Sequence, residues 1–148
     1  DMKTLQEFHD FHTTVIRSVY DVPDHAADPE YDMTPVIVVQ LQGGEIHVCT
    51  LVGAAQPNDA AKKALDEVTK HFAENPPVAV SFAAPSWLKT PEGERVGECV
   101  FVQTENAVQQ IISQLEVTRN PLTVGEVKTP PHGVARVTFL YHDTRTKQ

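Results

Sequence analysis

The sequence predicts an α+β fold: a single domain with a mainly antiparallel sheet of five to six strands and two helices packed on one face. Three observations carry this prediction. Residues 4–20 and 58–74 repeat apolar side chains at helical spacing, whereas much of the remainder alternates apolar and polar residues at strand spacing. Gly43-Gly44 separates two valine-rich runs, as in a β-hairpin. Only one strand-to-strand connection carries a helix, so neighbouring strands should pair antiparallel.

Taken in order, Thr4 and Glu7 have capping-box spacing, in which each side chain satisfies a free backbone N–H of the other. Leu5, Phe8, His12, Val15 and Val19 then recur on one side, predicting an amphipathic helix over 4–20. Residues 21–34 hold Asp21, Pro23, Asp24, Asp28, Pro29 and Asp32, the vocabulary of an exposed acidic connector with disordered parts. A hairpin is predicted over 35–52, with a two-residue Gly43-Gly44 loop at its turn. That loop sets Leu41 opposite Ile46, Val39 opposite Val48 and Ile37 opposite Thr50. The other face then holds Val36, Val38 and Gln40 opposite Leu51, Cys49 and His47.

Asn58 or Asp59 caps the second helix, whose inward residues are Ala61, Ala64, Leu65, Val68 and Phe72, and Asn75-Pro76-Pro77 ends it. Residues 78–142 read as mainly antiparallel strands: Val78–Ala84, Glu98–Thr104, Ile111–Thr118, Leu122–Val127 and Ala135–Tyr141. The Ile111–Thr118 stretch suits either a helix or a strand by spacing, and its β-branched content decides for strand. Trp87 is placed where the first of these strands leaves the sheet.

At 148 residues the chain is one domain long, enough to bury roughly 70% of its unfolded surface. Its net charge of −8 is uneven: residues 1–32 hold eight acids against Lys3 and Arg17. Phosphate backbones and anionic lipid both demand clustered Lys and Arg, and none occurs, so no nucleic acid and no membrane partner is expected. No apolar run is long enough to span a bilayer, and no signal-peptide progression opens the chain. Cys49 and Cys99 both fall in apolar strand patterns, which fits reduced thiols and a cytoplasmic location.

Chemical motifs are scarce. His9 and His12 are three apart around Asp10, the wrong spacing and the wrong acid for a zinc protease helix. The Asp21–Asp32 loop lacks the central glycine of a calcium-binding loop. The glycines outside the Gly43-Gly44 turn are isolated, so nothing cradles phosphate. No cofactor and no metal is expected. His47 and Cys49 share a strand face two residues apart, the arrangement a cysteine hydrolase would need, although reactive cysteines favour loops and helix N-termini. The remaining cluster is Trp87, Glu94, Arg95 and Glu98, read as a structural anchor or as a ligand or partner surface.

Two resemblances bear on these residues. The α-β-β-α-β order resembles that of the JAB/MPN metal-dependent isopeptidases. Their histidine motif has no counterpart in Ala84-Pro85-Ser86-Trp87, so isopeptidase chemistry is not expected. Val78–Phe82, Trp87, Arg95, Glu98 and Val100–Thr104 resemble a widespread group of small bacterial and bacteriophage proteins of uncharacterised activity. The likeness covers residues 35–120. Pro85 stands where that group carries an acid, and two residues rather than one separate Arg95 from Glu98. The resemblance implies a fold and no activity.

The expectation is a small, non-enzymatic cytoplasmic protein acting through protein–protein contact, either with a protein partner or by self-association as a homodimer. The motive is its exposed strand edges and mixed second sheet face. The alternatives are a small-ligand binder or cysteine hydrolase using His47 and Cys49 near the Trp87 loop, and an acidic phage or mobile-element protein whose residues 21–32 cover a basic host surface.

Overall fold

The computed structural model describes residues 2–54, 57–119 and 121–129. Its elements are α1 (Leu5–Tyr20), α2 (Pro23–Ala26), β1 (Val36–Gln40), β2 (Ile46–Thr50), α3 (Pro57–His71), β3 (Ala79–Lys89), β4 (Arg95–Glu105), β5 (Gln110–Thr118) and β6 (Thr123–Lys128). The strands form one open antiparallel sheet in the order β2-β1-β3-β4-β5-β6. This is the predicted α+β class, and Ile111–Thr118 is a strand as its β-branched content indicated. The predicted strand Ala135–Tyr141 lies outside the described residues.

Topology explains the one helical connection. β2 and β3 are each antiparallel to β1, so they run the same way with β1 between them. A tight turn cannot join strands of one direction, and α3 makes the crossover.

The two long helices lie on opposite faces of the sheet, which corrects the expectation of one face. Ala60, Ala61, Ala64 and Val68 of α3 pack with Ile37, Val39, Val80 and Phe82. On the other side, Leu5 and Phe8 of α1 pack with Val38 and Ala79, and Ile16 and Tyr20 with Ala83, Val100 and Leu115. The cause is in β1, whose Val36, Ile37, Val38 and Val39 are apolar at successive positions, so both sides of the strand need cover.

The capping box forms as predicted: Glu7 N–H donates to Thr4 Oγ1 at 3.1 Å and Thr4 N–H to Glu7 Oε1 at 2.8 Å. The buried stripe of α1 is Leu5, Phe8, His9, His12, Thr13, Ile16 and Tyr20. It is turned away from Val15, which is exposed, because two histidines occupy the inward side. The connector is more ordered than its composition suggests. α2 forms within it, Tyr31 stacks on His25 at 3.9 Å between ring centroids, and Met33 is buried.

The β1–β2 hairpin differs from expectation by one residue. Val39 faces His47, Val38 faces Val48 and Ile37 faces Cys49. Gln42, Gly43 and Gly44 all lie in the loop, closed by Leu41 N–H to Glu45 O at 2.8 Å and Gly44 N–H to Leu41 O at 2.8 Å. Gly44 has a φ of 89°, and Gly43 is not among the glycines of positive φ. A three-residue loop with one left-handed residue therefore replaces the two-residue loop. Such a slip moves every β2 side chain to the opposite face, so His47 and Cys49 lie on the α3 side.

β3 and β4 run well past the predicted ends. β1 pairs only with Ala79–Ala83, whereas β4 follows β3 as far as Lys89 opposite Arg95. Pro85 is tolerated because it lies beyond the last residue that β1 pairs. Trp87 is thus inside a strand, opposite Glu98, and not at a strand exit.

Candidate functional site

The predicted cluster sits on the β3–β4 hairpin where it extends beyond β1. Leu88 faces Gly97 and Lys89 faces Arg95, leaving Val96 as an extra residue in β4. The bulge reverses the side-chain alternation of β4. Without it Arg95 would share the face of Phe101; with it, Arg95 shares the face of Trp87. The Arg95 guanidinium then stacks over the Trp87 ring, 4.6 Å from its centroid. Trp87 keeps 39% of its surface exposed, so the pair is a wet cation–π contact worth about 0.5–1 kcal/mol. The backbone of Glu94 closes the turn, its N–H donating to Thr90 Oγ1 at 3.1 Å and its carbonyl accepting from Thr90 N–H at 2.8 Å.

The carboxylate of Glu98, which stands opposite Trp87, is held by a residue the sequence did not single out. Arg119 donates to Glu98 from Nε at 3.2 Å and from Nη2 at 2.8 Å. The same guanidinium reaches Asp32 Oδ1 at 2.8 Å and the carbonyls of Pro29 and Tyr31 at 3.1 and 2.6 Å. These bonds hold the Glu98 carboxyl below the usual carboxylate range, against a smaller opposing effect of burial. They also raise Arg119 further, so the guanidinium is permanently charged. The structure brings Trp87 and Arg95 together and sets Glu98 opposite Trp87 on the same face, with its carboxylate held by Arg119. No local sequence signal marks Arg119, since Glu98 lies 21 positions upstream and its other partners about ninety, and the chain must fold before they meet.

His47 and Cys49 do not form a catalytic pair. The His47 ring packs edge-on to Phe72 at 5.6 Å between centroids, and its Nε2 lies 3.9 Å from Glu45 Oε2. Cys49 packs against the α3-side core, and burial pushes its thiol above the ordinary cysteine value, with Glu67 adding to the effect. No hydrogen bond joins the two. Trp87 lies on the opposite face of the sheet from Cys49, by the alternation of β3 and β1. Cys99 is buried, with its thiol pushed up to about 12 by desolvation and by Glu116.

Beneath α1 is a buried polar chain. His12 Nδ1 is 2.6 Å from Ser81 Oγ, Ser81 Oγ 2.7 Å from Thr104 Oγ1, Thr104 Oγ1 2.6 Å from His9 Nδ1, and His9 Nε2 2.7 Å from Ser113 Oγ. With one proton per hydroxyl and per neutral ring, the bonds all run in one direction. Either direction leaves His12 Nε2 without a partner, as found. Burial lowers both histidines, His12 to about 3. The network pins α1 to the sheet, and it is sealed from solvent. Among the described residues, no group of three or more His, Cys, Asp or Glu side chains is placed to hold a metal.

A groove of about 310 Å³ lies between Asp32–Pro35, Val52–Ala54 and Pro85. Its one ionisable side chain, Asp32, is already bound to Arg119. The edge of β2 is different in kind. Leu41–Glu45 and Pro35–Leu51 are hydrogen-bonded pairs, so the alternation of an antiparallel ladder turns the N–H and C=O of Ile46, Val48 and Thr50 outward. β2 has a strand on one side only among the described residues. Val48, at the centre of that edge, is 61% exposed.

Among the described residues, the fold and these sites define an antiparallel α+β domain with an open edge and a projecting hairpin. No family model, no curated protein and no solved structure matches the chain. No helix among the described residues is long and apolar enough to cross a membrane.

Proposed function

We propose that this chain is a non-enzymatic, cytoplasmic protein–protein contact domain whose recognition element is the free edge of β2. One observation carries the reading: among the described residues, β2 turns backbone groups outward with no strand beside them, next to an exposed valine. Edge strands are commonly blunted by lysine, proline or a bulge, and Ile46–Thr50 has none of these. Adding a strand to such an edge supplies main-chain hydrogen bonds, with alternate side chains setting specificity. Two free thiols support a reducing compartment. The raised Cys49 thiol argues against nucleophilic chemistry at the same strand.

A photo-crosslinking amino acid at position 48, compared with one at the exposed loop residue Val108, tests the reading in cells that carry the chain naturally. The expected result is a discrete adduct from position 48 and none from position 108. Equal, diffuse labelling from both would overturn it. A discrete adduct from position 24 alone would transfer recognition to the acidic connector.

A further inference from the structure

The geometry points to a second copy of this chain as the occupant of the β2 edge, paired antiparallel about a two-fold axis at Val48. This rests on the contact reading above and names its partner. The outward-facing backbone groups of Ile46, Val48 and Thr50 are evenly spaced, so a two-fold axis at Val48 sets each of them opposite one in a second copy. Across a two-fold axis there, Val48 exchanges both main-chain bonds with Val48 of the second copy. Ile46 does the same with Thr50 on either side. An isologous contact needs a self-complementary patch, and this spacing supplies one. The two sheets become a single continuous sheet and lose one open edge each.

Side chains agree with that register. On the α1 face the exposed Val48 covers its own symmetry mate. On the α3 face His47 stands opposite Cys49 in a non-hydrogen-bonded pair, with Cα atoms about 4.5 Å apart. Glu45 stands opposite Leu51 of the second copy, and next to Leu51 the Val52 carbonyl is bonded by the Lys63 ammonium. The largely exposed Glu45 carboxylate is therefore carried toward Lys63 of the other copy, once at each end. Between Ile46 and Gln56 there is no formal charge, although the whole chain carries −8. The excess negative charge is concentrated in residues 1–32, and this strand adds none of it.

Sedimentation of the full chain across the micromolar range, together with three variants, tests the pairing. The wild type should form a dimer in that range, as small interfaces do. Val48→Lys should weaken it by about tenfold or more, since like charges then oppose each other at the axis. Val108→Lys should change nothing, and circular dichroism of Val48→Lys matching wild type, with melting equal to that of wild type diluted to monomer, shows that it folds. His47→Cys, treated with the mild oxidant diamide, should give a covalent dimer through Cys49 of the other copy. A monomer at every concentration overturns the inference, as does a dimer indifferent to Val48→Lys or one that His47→Cys fails to trap. A monomer whose position 48 crosslinks to a different protein overturns self-pairing and leaves the contact reading standing.

Discussion

Arg119 grips Glu98 with two hydrogen bonds, Nε to Oε2 at 3.2 Å and Nη2 to Oε1 at 2.8 Å. Only 18% of the Arg119 side chain is exposed, and its remaining donors go to Asp32, Pro29 and Tyr31. One guanidinium thereby ties the connector between α1 and β1 to the far end of β4 and β5. Its planar fork is what lets it serve a carboxylate in two places and two carbonyls besides.

Removing that grip should loosen the connector before it unfolds the sheet. Arg119→Ala is expected to cost about 2 kcal/mol, a fall of roughly 6 °C in melting temperature for a chain of this size. Proteolysis should begin within residues 21–34. Arg119→Lys should rescue little, because an ammonium cannot reproduce the fork. Thermal unfolding and limited proteolysis read both effects; a rescue to wild-type stability by lysine would contradict the assignment.

The buried histidines should make the fold sensitive to acid. An unfolded histidine titrates near 6.5, whereas His12 in the fold titrates at about 3. Between those values the unfolded chain binds the extra proton, so stability rises with pH. The contribution is fully present above about pH 6.5 and is lost as pH falls toward 3, by up to about 1.4 kcal/mol per pH unit for each such histidine. His9 is lowered in the same direction. Denaturant midpoints at several pH values measure the slope. His12→Phe should flatten it, and an unchanged slope would show that His12 does not contribute.

The Trp87–Arg95 stack should be nearly silent in stability. Both residues lie on the projecting part of the hairpin, and Trp87 is partly solvated. Arg95→Ala should lower stability by no more than about 1 kcal/mol. Trp87 is the sole tryptophan, so its fluorescence reports the contact directly and should change in Arg95→Ala while the melting curve barely moves. A large loss of stability would make the pair a core element.

The two thiols should react slowly. Burial raises both, Cys99 to about 12, and little thiolate is available near neutrality. Alkylation by iodoacetamide at pH 7 should be slow at Cys49 and should await unfolding at Cys99. Rapid, stoichiometric labelling of native Cys49 would restore a nucleophilic role to it.

Local features of the fold were legible in the sequence wherever the determining residues are neighbours. The Thr4–Glu7 cap, the helical spacing of α1 and α3 and the β-branched Ile111–Thr118 are of this kind. Gly43-Gly44 marks the turn but not its length, because two adjacent glycines each permit positive φ and only Gly44 uses it. That one-residue ambiguity decides which face His47 and Cys49 occupy. Pro85 concealed the extension of β3, since a proline ends a strand unless the neighbouring strand has already stopped. The opposite placement of the helices was written in the unbroken apolar run of β1, which reads as a half-covered strand only if its second face is ignored. Arg119 and the His9–Thr104 contact depend on residues brought together from distant parts of the chain.

The strand order also implies an order of assembly. β3, β4, β5 and β6 follow one another in both sequence and space, so each hairpin closes a short loop at small entropic cost. β1 reaches β3 only after the chain has travelled through β2 and α3. The four-stranded meander is therefore the natural nucleus, and the β1–β2 hairpin is a late addition, locked when α1 and α3 close over its two sides. Pulsed hydrogen exchange during refolding should protect Phe101 and Leu115 before Ile37 and Val39, and the reverse order would refute this sequence of events. Among the described residues, the sheet edge that carries no formal charge is therefore the last to be assembled.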